Sequence, residues 1–339
     1  MISLAKFTDK SVSEIPEQES IMSNGRFPFP VPFGWFQVAF EHDVQPGEIK
    51  PMRYFGRDLV LWRSESGELH LQDAYCPHLG GNFGVLGKVV GELIQCPFHH
   101  WQFNGEGQVA HIPYARQLNQ KACVRTYPLD VRYGLVMAWY HPEGAAPTYD
   151  LPEIPEFDDK EYVAPIVTRH EIRTCLQEMA ENTADGAHFV TIHNHPGSAE
   201  YDRFDFDGPN MIMESRQKFP SSGGPVEGTL NSHSTGFGWG VVRYHTLIEV
   251  CMLTTNVPVD EETVVQYFHV AYRNPEGDAK IDRIGAAFNK EVNRQLTDDI
   301  PMWENKVYMP RPNLCDGDGP IAKFRKWASQ FYAEQQNAA

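Results

Sequence analysis

The sequence predicts an α+β protein, in which an all-β N-terminal domain precedes a domain with a large antiparallel sheet covered by helices. Three observations carry this prediction. The chain has 339 residues, more than one hydrophobic core usually holds. Its first part alternates short apolar runs with Gly, Pro and Asp turns, whereas the remainder combines strand patterns with helical ones. A proline-rich stretch separates the two parts.

The N-terminal domain is expected at residues 26–146. Apolar runs such as Asp58–Trp62 and Gly134–Tyr140 follow each other without a long helical pattern, which is typical of a small antiparallel domain. The proline-rich stretch shows little apolar periodicity and predicts a boundary near Ala146. Residues 1–25 are too polar for a secretion signal, so we expect a flexible leader on a cytoplasmic protein.

The C-terminal domain is expected at residues 147–339. Apolar spacing predicts a helical segment over Thr174–His193, and several strand patterns follow it. A last helix is expected from about Asp278 toward Val307, with a kink or break at Pro301. Strands flanked by helices indicate one large sheet covered by helices.

Charge and cysteine content exclude several classes of protein. Acidic residues outnumber basic ones by 45 to 29, which gives a net charge of -16 and argues against nucleic acid or anionic membrane as a partner. No apolar run reaches the length of a membrane span. The six cysteines lack the spacing of a disulfide framework. Four of them are expected to be buried apolar residues: Cys123, Cys175, Cys251 and Cys315.

Two short loops each bring one thiol and one imidazole. They are Cys76-Pro77-His78 and, after 17 residues, Cys96-Pro97-Phe98-His99. A structural zinc site and a [2Fe–2S] cluster with two histidines on one iron both use this ligand set. Glycines after the first loop would let the backbone approach the sulfides, and the strand-and-turn setting is unlike that of a zinc finger. These features favour the cluster, which is a one-electron relay.

A second set of metal-binding residues lies in the stretch Glu181–His195. Asp185 and His188 are three apart and share a helix face, and His193 follows. Two histidines and a carboxylate form the triad of non-haem Fe(II) oxygenases, although zinc hydrolases use similar ligands. Oxygen activation is favoured beside a one-electron relay, since hydrolysis needs no electrons.

The stretches "CPHLGG" and "CPFHHWQF" resemble the signature of Rieske proteins, and Asp-x-x-His-x₄-His resembles the iron motif of Rieske oxygenases. The resemblance implies two ligand sets: Cys76, His78, Cys96 and His99 for a [2Fe–2S] cluster, and His188, His193 and Asp299 for mononuclear Fe(II). Asp299 is chosen because the family pattern Asp-x-x-x-Trp matches Asp299 to Trp303. Asp298 is the close competitor, and Glu304 is a weaker one.

The same resemblance implies an electron route between subunits. Asp185 matches the carboxylate that links a Rieske histidine, here His99, to an iron-binding histidine of the neighbouring protomer, here His188. This arrangement implies a head-to-tail homotrimer. It also implies that a separate ferredoxin or flavin reductase delivers electrons from NAD(P)H and that O₂ is the co-substrate.

Within that family the chain resembles the branch of 3-ketosteroid 9α-hydroxylase and cholesterol 7-desaturase, through "DDIPMWENK", "LCDGDGPIAKFRKWASQFY" and "PVDEETV". The resemblance implies monooxygenation of a hydrophobic, steroid-like substrate at a C–H bond, as in steroid catabolism. Dioxygenation, demethylation or desaturation of an aromatic or other alicyclic compound stays open, as does a non-catalytic Rieske electron-transfer protein. The candidate residues of an apolar substrate pocket are Gln177, Asn182, Phe189, Phe237 and Trp239.

Overall fold

The structure is a computed structural model that describes residues 25–197, 200–219 and 223–333. The leader expected at residues 1–25 lies outside these residues, apart from Gly25. In the described ranges the strands form four sheets, and all neighbouring strands in them are antiparallel. None of the helices in these ranges is both long and apolar enough to cross a membrane.

The N-terminal part is built from short strands, as the sequence predicts. Its strands are β1 Gly34–Phe40, β2 Ile49–Tyr54, β3 Arg57–Arg63, β4 Leu69–Asp73, β5 Lys88–Val90, β6 Leu93–Gln95, β7 Gln102–Phe103, β8 Val109–His111, β9 Thr126–Tyr127, β10 Leu129–Arg132 and β11 Leu135–Tyr140. They form three sheets with the orders β1-β11-β10, β2-β3-β4-β9 and β5-β6-β7-β8. A single 3₁₀ turn, Glu41–Asp43, follows β1 in this part.

The β5–β8 sheet positions the two Cys/His loops. The first loop lies between β4 and β5, and the second connects β6 to β7. Cys76 and Cys96 belong to a small apolar cluster that also contains Phe83, Ile94 and Phe103. Both loops therefore begin at a cysteine that is packed in a buried apolar cluster, which restricts their movement.

The C-terminal part contains one seven-stranded sheet with the order β12-β18-β17-β16-β15-β14-β13. Its strands are β12 Ile166–Ile172, β13 Glu200–Asp207, β14 Asn210–Phe219, β15 Val226–Thr235, β16 Trp239–His245, β17 Glu249–Pro258 and β18 Val264–Tyr272. The helices are α1 Pro155–Asp158, α2 Leu176–Glu181, α3 Ala187–Thr191, α4 Ala279–Asn305 and α5 Ile321–Ala328, with 3₁₀ turns at Asn182–Ala184 and Ser329–Phe331. The predicted α+β class is confirmed, whereas the boundary near Ala146 stays a prediction.

The two faces of this sheet have different neighbours. On one face, Thr255 Oγ1 donates to Gln37 Oε1 of β1 at 2.6 Å, and His269 Nε2 donates to the same oxygen at 2.9 Å. This face packs against the N-terminal part, and one apolar core runs through both parts. Because side chains alternate along a strand, Asn256 and Gln266 lie on the opposite face, which α2, α3 and α4 cover.

Helix α4 begins where the sequence predicts and does not break at its proline. The Asp278 carboxylate accepts from the backbone N–H of Lys280 at 2.7 Å and caps the helix. Pro301 lies inside the helix, which continues to Asn305. A proline costs one backbone hydrogen bond, but Trp303 beyond it is only 6% exposed, so burial of the last turn offsets that loss.

Candidate metal centres and substrate cavity

The two Cys/His loops bring the four side chains predicted to bind a metal cluster to one end of the β5–β8 sheet. The rings of His78 and His99 lie 4.7 Å apart between centroids, and His78 stacks on Trp101 at 4.4 Å with an interplanar angle of 8°. Cys76 and Cys96 are buried, and the two imidazoles are half-buried. The thiols therefore lie on the protein side of the site and the imidazoles on its solvent side.

Backbone turns hold both cysteines in the same way. The N–H of Gly80 donates to the Cys76 carbonyl at 2.9 Å, and the N–H of His100 donates to the Cys96 carbonyl at 3.1 Å. A Cβ atom on Gly81 would lie 2.7 Å from the Cys96 sulfur, so only glycine fits there. The loops thus form a close cradle around the sulfur atoms.

The chemistry of this cradle fits a metal cluster. Burial raises the pKa of the Cys76 thiol to about 12, and the neighbouring Cys96 contributes to the shift. Two adjacent buried thiolates are unfavourable without a cation between them, and a metal supplies that charge. Two sulfurs and two imidazoles are the donor set of a Rieske [2Fe–2S] cluster.

A second group of residues that could hold a metal ion lies under the seven-stranded sheet. The ligand atoms of His188, His193 and Asp299 all lie within 4.8 Å of one another. His188 is on α3, His193 follows the end of α3, and Asp299 is on α4. All three side chains are buried. A carboxylate and two imidazoles from three chain segments therefore converge at one point.

A hydrogen bond orients His188 toward the point where the three side chains meet. The Nδ1 atom of His188 donates to the backbone carbonyl of Asp185, so its Nε2 atom faces the centre. His193 Nε2 lies 3.3 Å from Asp299 Oδ1. Burial lowers the pKa of His188, which favours the neutral imidazole that binds a metal. The site fits a divalent ion with open positions, as in the iron oxygenases.

The other two acidic candidates for the third ligand face elsewhere. Asp298 forms an ion pair with Arg294, and its carboxylate lies 3.9 Å from His193 Nδ1. Glu304 lies 3.7 Å from the Arg173 guanidinium. Neither carboxylate belongs to the converging group, so the geometry favours Asp299.

Asp185 contacts His188 in a different way from the one expected. The contact runs through its backbone carbonyl, whereas its carboxylate accepts from the Ala187 N–H at 3.1 Å. The sequence cannot distinguish a contact through the Asp185 carbonyl from one through its carboxylate, because both groups belong to the same residue. The link from Asp185 to His99 of a neighbouring protomer stays a prediction.

Three adjoining cavities lie along the sheet, and one of them contains this second group. A central cavity of about 190 Å³ contains the three converging side chains. An outer, larger cavity of about 570 Å³ shares Phe189, Leu230 and Tyr244 with it and extends along α4. An inner cavity of about 110 Å³ shares Ser232 and Gln266 with it and lies deeper along the sheet. The combined volume of the three cavities is large enough for a ligand with several rings.

Four of the five predicted pocket residues line these cavities. Asn182 and Phe189 line the central cavity, and Phe237 and Trp239 line the inner one. Gln177 is buried at 3% exposure and lines none of the three. It faces away because α2 presents Met179 to the cavities, about half a helical turn further along.

Several residues that line the cavities are not among the predicted pocket residues. Phe288 and Val292 precede Asp299 on α4 at helical spacing, and that spacing was a usable signal. Ser232 and Gln266 gave no such signal, because the face of a strand is known only once its register is known.

Comparisons with known proteins agree with this architecture. Residues 34–128 match the Rieske [2Fe–2S] domain, and residues 138–332 match the 3-ketosteroid 9alpha-hydroxylase C-terminal domain. "Cholesterol 7-desaturase nvd" of Xenopus laevis is 31% identical, over 91% of this chain and 73% of its own. A "Probable 3-ketosteroid-9-alpha-monooxygenase, oxygenase component" of Rhodococcus rhodochrous is 29% identical, over 90% and 80%. Dicamba monooxygenase bound to dicamba shares the fold, with a TM-score of 0.66 at 16% identity over 90% of this chain and 98% of that one.

Proposed function

Because this chain belongs to the Rieske oxygenases, in the group with the 3-ketosteroid 9α-hydroxylase C-terminal domain, we propose that it hydroxylates a steroid-like substrate at a C–H bond. One oxygen atom of O₂ enters the substrate and the other leaves as water, with two electrons from NAD(P)H. The observation that carries this proposal is the buried group of His188, His193 and Asp299, which lines a central cavity that adjoins a larger, mostly apolar one.

The proposal assigns each set of metal-binding residues a role. Cys76, His78, Cys96 and His99 would hold the [2Fe–2S] cluster, and His188, His193 and Asp299 would hold a ferrous ion. When bound, the cluster supplies one-electron transfer and the ferrous ion supplies activation of O₂. Burial favours the neutral, metal-binding form of His188, and the burial of all three side chains keeps bulk water away from the site.

The electron route is proposed to cross between protomers of a homotrimer. His99 is half-buried at the edge of its domain, and the Asp185 carboxylate is half-buried too. In the described part of the chain, that carboxylate accepts one hydrogen bond, from Ala187, and therefore has room for an imidazole N–H. The Asp185 carbonyl already holds His188, so one residue would touch both ends of the route.

The outer cavity supports an apolar, polycyclic substrate. Aromatic and aliphatic side chains form most of its wall: Phe189, Phe219, Leu230, Tyr244, Ile284, Phe288 and Val292. Burying a ring system against such a wall is favourable and depends little on direction. The names of the relatives refer to 3-ketosteroids and cholesterol, which are substrates of this kind.

A separate reductase is proposed as the electron donor, because relatives of this chain are named oxygenase components. The donor would be a ferredoxin, a flavin reductase or both in series. The negative charge of this chain, -16 overall, suits a partner with a basic docking face. We place the reaction in the cytoplasm, where NAD(P)H is regenerated.

The test is a product assay with the metal-loaded protein, a reductase and NADH. Sterols, 3-ketosteroids, bile acids and aromatic acids are incubated separately, and products are identified by mass. We expect a steroid product heavier by one oxygen atom that forms only with O₂. A product gaining two oxygen atoms, or losing two hydrogens, would replace hydroxylation by dioxygenation or desaturation. Turnover of aromatic acids alone would contradict the steroid proposal.

Desaturation of a sterol is the second candidate, because the named cholesterol desaturase is 31% identical to this chain. The same assay separates the two outcomes by product mass. Asp299→Asn serves as the control for a protein that only transfers electrons. That variant is expected to keep its cluster and to form no product. If the protein only transfers electrons, the substitution would leave its electron transfer from the reductase unchanged.

A further inference from the structure

The wall of the outer cavity changes from apolar to basic along helix α4. Near the central cavity, α4 contributes Val292 and Phe288 to this wall, and in its first two turns it contributes Lys280 and Arg283. Because a helix rises about 1.5 Å per residue, Arg283 lies about 24 Å from Asp299 along the helix axis. The helix thus carries Asp299 in the central cavity and two cations at the far end of the adjoining one.

Lys280 and Arg283 have no ion-pair partner among the residues that the structure describes. The hydrogen bond between Lys280 and the Asp278 carboxylate runs through the Lys280 backbone N–H, so it leaves the ammonium group unpaired. Both side chains are exposed at the mouth of the cavity. Their positive charges are therefore available to an anion that enters there.

The carboxylates closest to these cations on α4 already have partners. Glu291 is the one acidic residue that lines the outer cavity in the described part of the chain. The Arg294 guanidinium donates to both of its oxygens, at 2.7 and 2.9 Å, and so compensates its charge. Asp282 accepts from the Tyr272 hydroxyl at 3.1 Å and lines none of the three cavities. The mouth of the outer cavity therefore keeps an excess of positive charge, in a chain whose net charge is -16.

We infer that the outer cavity binds the side chain of a polycyclic acid, with the carboxylate of that side chain at Lys280 and Arg283. This inference rests on the proposed function, because it concerns one end of the same steroid-like substrate. The rings would lie against the apolar wall beside Phe288 and Val292. The distance of about 24 Å from Asp299 to Arg283 exceeds the length of a four-ring skeleton, so the acid has to be carried on a side chain. The substrate class is thus a steroid acid in preference to a neutral steroid of the same size.

The test compares a steroid whose side chain ends in a carboxylate with its primary amide, on the metal-loaded protein. The two probes have nearly the same shape and differ in charge. Dissociation constants are measured by equilibrium dialysis at ionic strengths of about 0.01 M and about 1 M. We expect the acid to bind about three- to tenfold more tightly at the lower ionic strength, since each ion pair at an exposed site contributes little. This preference should largely disappear at the higher ionic strength, because salt screens exposed charges.

A double variant, Lys280→Met with Arg283→Met, tests the two residues themselves. Methionine keeps an unbranched apolar side chain and removes the charge. We expect the preference of this variant for the acid to fall to about twofold or less at the lower ionic strength. Lys290→Met with Lys323→Met is the matched control, because it changes the net charge by the same amount at exposed residues that line none of the three cavities. The control is expected to keep the full preference.

The outcomes separate this inference from the proposed function. Equal binding of acid and amide by the wild-type protein overturns the inference and leaves steroid hydroxylation standing. An unchanged preference in the folded double variant, or an equal loss in the control, overturns it as well. If the double variant does not fold, Lys280→Met and Arg283→Met are measured separately, and each should lower the preference. Failure of both probes to bind overturns the proposed function and the inference together.

Discussion

Asn182 and Asp299 are joined by a hydrogen bond: the Asn182 Nδ2 atom lies 3.2 Å from Asp299 Oδ2. The same nitrogen lies 3.2 Å from Nε2 of His188, a contact that a metal ion bound at Nε2 would replace. One amide therefore contacts two of the three converging side chains, and it comes from the 3₁₀ turn between α2 and α3. The Asn182 amide therefore connects the segment that carries His188 to helix α4, which carries Asp299.

Replacing this amide should loosen the mononuclear site. Asn182→Leu removes the donor and keeps most of the volume. We expect iron to be held about 10- to 100-fold more weakly at this site, because residues that orient metal ligands have effects of that size. Iron is measured after dialysis against a chelator, and the EPR signal of the cluster is the internal control. Unchanged iron retention would show that Asn182 does not orient the ligands.

The choice between Asp299 and Asp298 has a direct test. Asp299→Asn should lower the iron content from about three to about two per chain, because a mononuclear site loses its only carboxylate. Asp298→Asn is the matched control and should keep about three, since its carboxylate pairs with Arg294. Metal analysis and EPR of the cluster measure both. Loss of iron in Asp298→Asn alone would reverse the assignment.

Gly81→Ala should weaken the cluster cradle. The added Cβ would lie 2.7 Å from the Cys96 sulfur and 3.1 Å from Phe98 Cβ, so the second loop must move. Such crowding should destabilise the cluster-bound state by about 1–3 kcal/mol. Visible absorbance and acid-labile sulfide report the loss. Gly317→Ala is the control, because its Cβ would lie 3.8 Å from the nearest atom and should leave the cluster content unchanged.

Asp185→Asn tests the proposed electron route. The amide oxygen can still accept from the Ala187 N–H, and the carbonyl that holds His188 is unchanged, so both metal sites should stay loaded. We expect turnover with the reductase to fall about 10- to 100-fold. Stopped-flow absorbance should show slow reoxidation of the reduced cluster in the presence of substrate and O₂. Normal reoxidation would remove this route.

His269 should make the folded protein sensitive to acid. Burial lowers its pKa from 6.5 to about 4, whereas the unfolded chain keeps the ordinary value. The unfolded state therefore binds more protons between these values, and stability is lost as the pH falls from 6.5 toward 4. The difference between the pKa values of His269 in the folded and unfolded states corresponds to about 3 kcal/mol of unfolding free energy.

The measurement is denaturant unfolding at several values of pH in this window. His269→Gln should flatten the slope of unfolding free energy against pH, although it lowers stability near neutrality by disturbing the contact with Gln37. His245→Gln is the matched control, because His245 is exposed on the same sheet. An equal slope in wild type and His269→Gln would assign the acid sensitivity to other groups.

The sequence was most informative where function depends on short spacings. The two Cys/His loops and the pair His188 and His193 each lie within a few residues, so their motifs could be read before any fold was known. Asp299 is more than 100 residues away from His193 in the chain, and only the family pattern selected it over Asp298. Local chemistry alone does not separate two adjacent carboxylates.

Features that depend on long-range contacts could not be predicted. The pairing of Asn256 with Gln266 depends on the register of two strands. The continuation of α4 past Pro301 depends on the burial of Trp303, which outweighs local propensity. Gln177 faces away from the cavities because the rotation of α2 is set by its neighbours in the fold.

The hydrogen bonds that Gln37 accepts from Thr255 and His269 have a consequence for protein engineering. These residues join β1 of the electron-delivering half to β17 and β18 of the oxygen-activating half. A chimaera that takes its N-terminal half from a relative must import a matching β1, or it leaves Thr255 and His269 buried without their acceptor. One buried glutamine therefore restricts which N-terminal halves could replace the one in this chain.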